Sequence, residues 1–388
     1  MNPIAIRLTA AAILLITGFL PSNAQSGNEI NVVTTAVPFL RISPDARSGG
    51  MGDLSLATNP DASSSYFNLG KVPFNTSVGG VNLTYTPWLK KLVNDVYLAS
   101  LSGYYKVNDN SAVSASFRYF SLGSIQFTDA FGNPLQTANP REFGIDLGYS
   151  LKISDKTGLG VGLKYIYSNL ASGTSGYKAG NSVAGDIGLY HNGQDEAGQG
   201  WSFGAALSNL GAKIGYTDNA DQKDFIPANL GIGTTYTRVF DESNKLSFGI
   251  DLNKLLVPTP PLSVDNGGPK DSANLVAYRN KSVIGSWFSS FGDAPGGFSE
   301  EMKEFQVSAG LEYWYNNQFA LRGGYFYEDK TKGNRRFFTA GVGIKYNVFG
   351  LNFSYLIPSG SGNTQNPLSN TLRFSLVFDF DNATSQGN

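Results

Sequence analysis

Alternation with a period of two governs this chain. In residues 142–153 the odd positions are Phe143, Ile145, Leu147, Tyr149, Leu151 and Ile153; the even positions are Glu142, Gly144, Asp146, Gly148, Ser150 and Lys152. Side chains of a strand point alternately to its two faces, so one face of this segment meets an apolar medium and the other meets water or polar groups. A helix would scatter the same apolar residues around its cylinder. The pattern recurs in Leu159, Val161, Leu163, Tyr165 and Tyr167, in Val307, Ala309, Leu311, Tyr313 and Tyr315, and again in Leu372, Phe374, Leu376, Phe378 and Phe380.

About fourteen such segments can be read: 74–86, 95–107, 110–127, 141–154, 157–170, 181–191, 200–210, 227–239, 244–256, 303–315, 318–328, 336–347, 350–357 and 371–380. Most have the roughly 9–11 residues that a tilted strand needs to cross the hydrocarbon of a bilayer. Connections after even-numbered segments are mostly short, such as Ser154-Asp155-Lys156 and Asn316-Asn317. Those after odd-numbered segments are usually longer: 128–140, 171–180, 211–226, 257–302 and 358–370. Outer-membrane barrels alternate short periplasmic turns with long external loops, whereas a propeller or sandwich has no cause to keep that parity. The expected fold is therefore all-β, a transmembrane antiparallel barrel of about fourteen strands over 74–380, with 257–302 as a long external loop and 381–388 as a tail.

Composition agrees. Charged residues make up 15% and net charge is -1, which offers no basic face for nucleic acid. Mean hydropathy of -0.16 does not argue against a barrel, because alternation hides the apolar face in the average. Residues 1–24 read as a cleaved leader: Arg7, an apolar run from Ala10 to Leu20, then Ser22-Asn23-Ala24. The mature chain is expected to start near Gln25 and to reside in the outer membrane. No later apolar run is long enough for a membrane helix.

No catalytic or cofactor site is expected, and no enzyme. The chain has no cysteine and one histidine. His191 flanks a turn, and nothing nearby resembles a nucleophile elbow. Asp265-Asn266-Gly267-Gly268 is a turn signal without the ligand spacing of a calcium loop. Gly158, Gly160 and Gly162 alternate within a strand and lack a following helix, so close backbone packing, not dinucleotide binding, is their expected role. Asp146, Lys164, Asp186, Asp251, Glu312, Arg322, Lys345 and Arg373 fall on the polar face, where they can pair in a hydrated lumen.

Two stretches break the rhythm. Residues 25–73 precede the barrel and are either a periplasmic extension or, the reading favoured, a plug, since an unfilled barrel of this size would leak. The 257–302 loop is dense in aromatics: Trp287, Phe288, Phe291 and Phe298, with Asp293 and Pro295 among them. That density argues against disorder.

The run Pro38-Phe39-Leu40-Arg41-Ile42-Ser43-Pro44-Asp45-Ala46-Arg47-Ser48-Gly49-Gly50-Met51-Gly52-Asp53, continuing through Ala57-Thr58-Asn59-Pro60-Asp61, resembles the PorV family. These are outer-membrane barrels of the type IX secretion system of Bacteroidetes, in the PorV/PorQ branch of FadL-like barrels. Residues 278–282 and 291–298 resemble the same family. Asn68-Leu69-Gly70-Lys71 departs from the Asn-Pro-Ala-Lys form more usual there, so the local turn is open to difference. The resemblance implies a barrel beside the SprA (Sov) type translocon that receives cargo through its C-terminal signal domain. It implies delivery to a PorU-type sortase with PorQ and PorZ, where the signal domain is removed and cargo is anchored to lipopolysaccharide or released. Within the run 38–53, Pro38, Phe39, Arg41, Pro44, Asp45, Arg47, Met51 and Asp53 are the expected residues of the plug segment.

Fourteen strands about 4.8 Å apart and tilted about 40° close into a cylinder roughly 28 Å across, leaving about 15 Å after side chains. A folded domain of about 100 residues has a radius of gyration near 13 Å. Folded cargo cannot pass, so it is held from outside, with Trp287, Phe288, Phe291, Asp293, Pro295 and Phe298 the expected grip. The alternative function is FadL-like transport of small hydrophobic compounds through the lumen, which needs a greasy pocket.

Overall fold

Fourteen antiparallel strands pair in sequence order and the first closes on the last, so the sheet has no free edge. The computed structural model describes residues 30–90, 93–170, 176–219, 222–359 and 371–380. The chain divides into residues 1–30 and Asn31–Asn388, and the barrel belongs to the second unit. The expected leader, 1–24, and tail, 381–388, lie outside the described residues.

The wall strands are β1 (Gly79–Pro87), β2 (Val96–Lys106), β3 (Ser111–Leu122), β4 (Arg141–Lys152), β5 (Thr157–Asn169), β6 (Gly180–Asn192) and β7 (Gly200–Gly211). They continue as β8 (Asn229–Val239), β9 (Asn244–Leu255), β10 (Gln306–Tyr315), β11 (Phe319–Tyr327), β12 (Arg336–Tyr346), β13 (Phe349–Pro358) and β14 (Leu372–Phe380). Closure runs from Gly79 opposite Phe380 to Tyr85 opposite Phe374. Leu147, Leu163, Val183, Ile232, Leu321 and Leu351 are exposed, while residues of the opposite parity are buried. Apolar side chains thus cover the outside, where lipid replaces water as their solvent. Among the described residues no helix is long and apolar enough to cross a membrane; the strands cross it.

Two strand boundaries differ markedly from the sequence reading. The first strand begins at Gly79, not 74, because Leu69–Phe74 forms a 3-10 turn containing Pro73. The third stops at Leu122, because Gly123 turns the chain with φ +78 beneath the Asp95 carboxylate. Residues 125–128 then leave the wall and pair with 134–138 as a separate hairpin. The 257–302 connection is partly helical, with helices at Pro269–Asn280, Val283–Ser289 and Phe298–Glu301.

The N-terminal segment lies against the inward face of the ring. Ala46 N–H donates to Ser375 of β14, and Ser100 and Ser102 of β2 donate to the carbonyls of Pro44 and Ala62. Asp251 of β9 accepts from the backbone N–H groups of Ser55 and Leu56. Gly52 N–H donates to Thr339 of β12. Contacts on such distant strands place the segment in the lumen. It runs from Asn31, bonded to Thr331 in a connection between β11 and β12, to the short-turn end, where Ala62 and Val72 pack with Tyr104 and Ala112.

Candidate partner-binding surface

The charged residues of the N-terminal segment each have a partner on the wall or within the segment. The Arg47 guanidinium donates from Nε and Nη2 to Glu312 (2.9 and 2.8 Å), and from Nη1 to Asp61 (2.7 Å) and the Asn59 carbonyl. Arg41 pairs with Glu328 at 3.2 Å and Asp53 with Arg373 at 3.3 Å. Asp45 caps the helical turn Ala46–Gly49 by accepting from Ser48 N–H at 2.7 Å. Pro38 opens a 3-10 turn that buries Phe39, whose ring stacks on Phe120 of β3. Pro44 and Met51 are buried. A Cβ on Gly310 or Gly324 would collide with Met51. Small inward residues let the segment's backbone approach the wall.

Glycines of the wall make a second cradle at the short-turn end. Gly148, Gly158, Gly160 and Gly188 stand against residues 68–70, and a Cβ on Gly160 would overlap Leu69. Asn68 donates through Nδ2 to the carbonyls of Leu56 and Leu189. The alternating glycines of β5 are therefore a packing surface.

Inward charges of the wall pair as their phase suggested. Lys164 bridges Asp146 (3.2 Å) and Asp186 (3.0 Å), and Arg322 meets Glu312 at 2.7 Å. Arg118 was missed by the site reading. It is buried at 3.5 Å from Asp146, with its guanidinium over the rings of Phe39 and Tyr66. The signal was available, since an arginine on the inward phase of a strand needs a partner in the lumen.

On the opposite end, the connection after β9 is anchored by charge. Lys254, only 1% exposed, pairs with Glu301 (2.6 Å) and Glu304 (2.7 Å). Glu304 also accepts from Lys332 and Thr259, and Lys332 pairs with Glu300 at 2.6 Å. Burial works against the Glu300 charge, but the bond from Lys332 and that lysine's charge hold its carboxyl below the ordinary range. Burial likewise opposes ionisation of Glu328, and the bonded Arg335 with Arg41 outweighs it, so this carboxyl also sits low. Tyr278 packs edge-on against Phe225 in a small core with Val33 and Val257.

This anchoring sorts the six expected contact residues. Phe288 (75% exposed), Phe298 (80% exposed), Phe291 and Pro295 are displayed. Trp287 is half-buried. Asp293 faces inward, accepting from Thr259 N–H and Oγ1, so it is a strut of the connection. Two exposed residues, Ile284 and Met302, were not among the six. Ile284 stands four residues before Phe288 in the same helix, a spacing that puts the two on one face, and Met302 opens the 3-10 turn that follows the helix of Phe298.

The family model of type IX secretion system protein PorV matches residues 24–262. The chain belongs to the PorV family. The match covers the N-terminal segment, the first nine strands and the start of the long connection. Fold and family together make the chain an outer-membrane barrel component of the type IX secretion system. Solved structures with a similar fold include the toluene transporter TodX of P. putida, at 13% identity and a TM-score of 0.53. The monoaromatic hydrocarbon channel CymD is similar at 12% and 0.51, and the toluene transporter TbuX of Ralstonia pickettii at 12% and 0.50. Each alignment covers 87% of this chain and 98% of the other. At such identity the likeness is one of fold. No curated protein matches the chain.

Proposed function

We propose that this PorV protein carries secreted cargo on the outer side of a plugged barrel. In this reading, cargo C-terminal signal domains leave a SprA-type translocon, bind the connection between β9 and β10, and travel to the PorU-type sortase with PorQ and PorZ. The observation that supports it most is the lumen: residues 31–78 lie across it, bonded to wall strands on several sides. A filled lumen leaves the external surface for binding, and that surface displays Phe288, Phe291 and Phe298 on a connection fixed by buried ion pairs. Exposed aromatics on a rigid support are what anchors at an interface require. Short turns and both ends of the wall would face the periplasm, after removal of the 1–24 leader. The second reading, transport of small hydrophobic compounds, has the fold likeness behind it but meets a lumen lined by Arg118, Asp146, Lys164 and Glu312.

The test is co-purification of cargo C-terminal domains with Phe288→Ser/Phe298→Ser protein from outer membranes. Both residues are exposed, so the barrel is expected to remain heat-modifiable on gels while cargo recovery falls at least tenfold. Undiminished cargo would overturn the assignment.

A further inference from the structure

We propose that the short-turn end of the lumen contains a binding pocket for a small organic anion, a carboxylate or phosphate ester carrying an apolar or aromatic portion. A cavity of about 440 Å³ lies there between the N-terminal segment and the inner wall. That volume is within the range of small-molecule sites. Its wall carries Arg322, Lys245 and Trp314.

Arg322 supplies the independent sign of a ligand. Its side chain is fully buried; Nε donates to Glu312 (2.7 Å) and Nη1 to Asn352 (2.8 Å), yet Nη2 has no partner. A buried guanidinium N–H left open is a costly feature unless something accepts from it. The Lys245 side chain makes neither an ion pair nor a hydrogen bond with any described residue, its backbone alone joining the ladder with β8 and β10. Both cations stand over the Trp314 ring, at 5.5 Å for Arg322 and 6.0 Å for Lys245. The neighbouring cations are compensated: Arg47 by Glu312 and Asp61, Lys345 by Asp379 at 2.6 Å. Glu312 is shared between Arg47 and Arg322, so among the four cations at this pocket Lys245 is the one without an ion-pair partner, while Asp45, Asp61 and Asp379 line the same space.

The chemistry follows from these groups. Arg322 and Lys245, both against the Trp314 ring, offer an oxyanion a guanidinium N–H and an ammonium, and both carboxylate and phosphate oxygens fit. Trp314 and Val377, both on the inward phase, line the rest of the space and would hold an apolar group. Asp45, Arg47 and Pro60 of the N-terminal segment also line the pocket.

Calorimetric titration of the purified full chain in neutral detergent, with phenyl phosphate, phenylacetate and benzyl alcohol, tests this. At least one of the two anions should bind, and the one that binds identifies carboxylate or phosphate as the preferred head. Benzyl alcohol should bind at least tenfold more weakly. Lys245→Met should weaken the anion about tenfold while the barrel stays heat-modifiable, and Lys245→Arg should restore it. Binding of neither anion, equal affinity for benzyl alcohol, or an unchanged Lys245→Met would overturn the proposal.

Discussion

Replacing Arg47 by Met removes four hydrogen bonds at once, two to Glu312, one to Asp61 and one to the Asn59 carbonyl. Breaking a buried ion pair by deleting one partner costs about 3–5 kcal/mol. The lower end applies here. Glu312 keeps Arg322 at 2.7 Å, and Asp61, with its side chain 29% exposed, can recover water. About 3 kcal/mol corresponds to roughly a hundredfold shift in the ratio of docked to released segment. The amides that report it are Gly50, Met51, Asp53 and Leu54, bonded to the carbonyls of Ala46, Ser48 and Met51. Hydrogen exchange in detergent should show these amides exchanging about a hundredfold faster, while β5 and β6, paired over Gly158 to Ser168, stay protected. Removing the exposed pair partner Lys178 should change nothing measurable, since its side chain is 55% exposed. Exchange within threefold of the parent in Arg47→Met would refute the argument that this arginine holds the segment in the lumen.

Other expectations follow from the same contacts. Lys254→Met leaves Glu301 buried without its cation and Glu304 with Lys332 as its one remaining cation, so a cost of about 3–5 kcal/mol should free the 257–302 connection, read as protease cleavage there with an intact barrel. Gly160→Val places a branched side chain against Leu69 and should lower the melting temperature or block assembly, by about 1–3 kcal/mol of overpacking. The Glu328 and Glu300 carboxyls titrate below their unfolded values, so their contribution is complete above about pH 4.5 and is lost as pH falls through the lower folded values. Acidification should therefore loosen the connections around Arg335 and Lys332, and Glu328→Gln should flatten that dependence in pH-resolved exchange.

The wall was legible in the sequence because its chemistry repeats locally. Lipid demands an apolar side chain at every second position, and Phe143 to Ile153 states that demand without reference to any other strand. Where a boundary was misread, the cause is a single residue. Pro73 keeps 69–74 in a 3-10 turn although Val72 and Phe74 continue the alternation, and Gly123 releases β3 from the wall although Ile125 and Phe127 keep the phase. Inward charges were visible by phase, but not their partners: Arg47 and Glu312 are separated by 265 positions, and no local pattern links them. The same limit hid Lys254, Glu304 and Lys332, which meet only after the long connection has folded back. In the connection itself, residue type announced an interface, yet it could not tell the displayed Phe288 from Asp293, whose carboxylate is turned to Thr259.

Ion current through the purified full-length protein in planar bilayers bears most directly on the whole scheme. A barrel whose passage is occupied by its own N-terminal residues should insert and carry no steady current at neutral pH. A persistent open channel from the intact chain would contradict it.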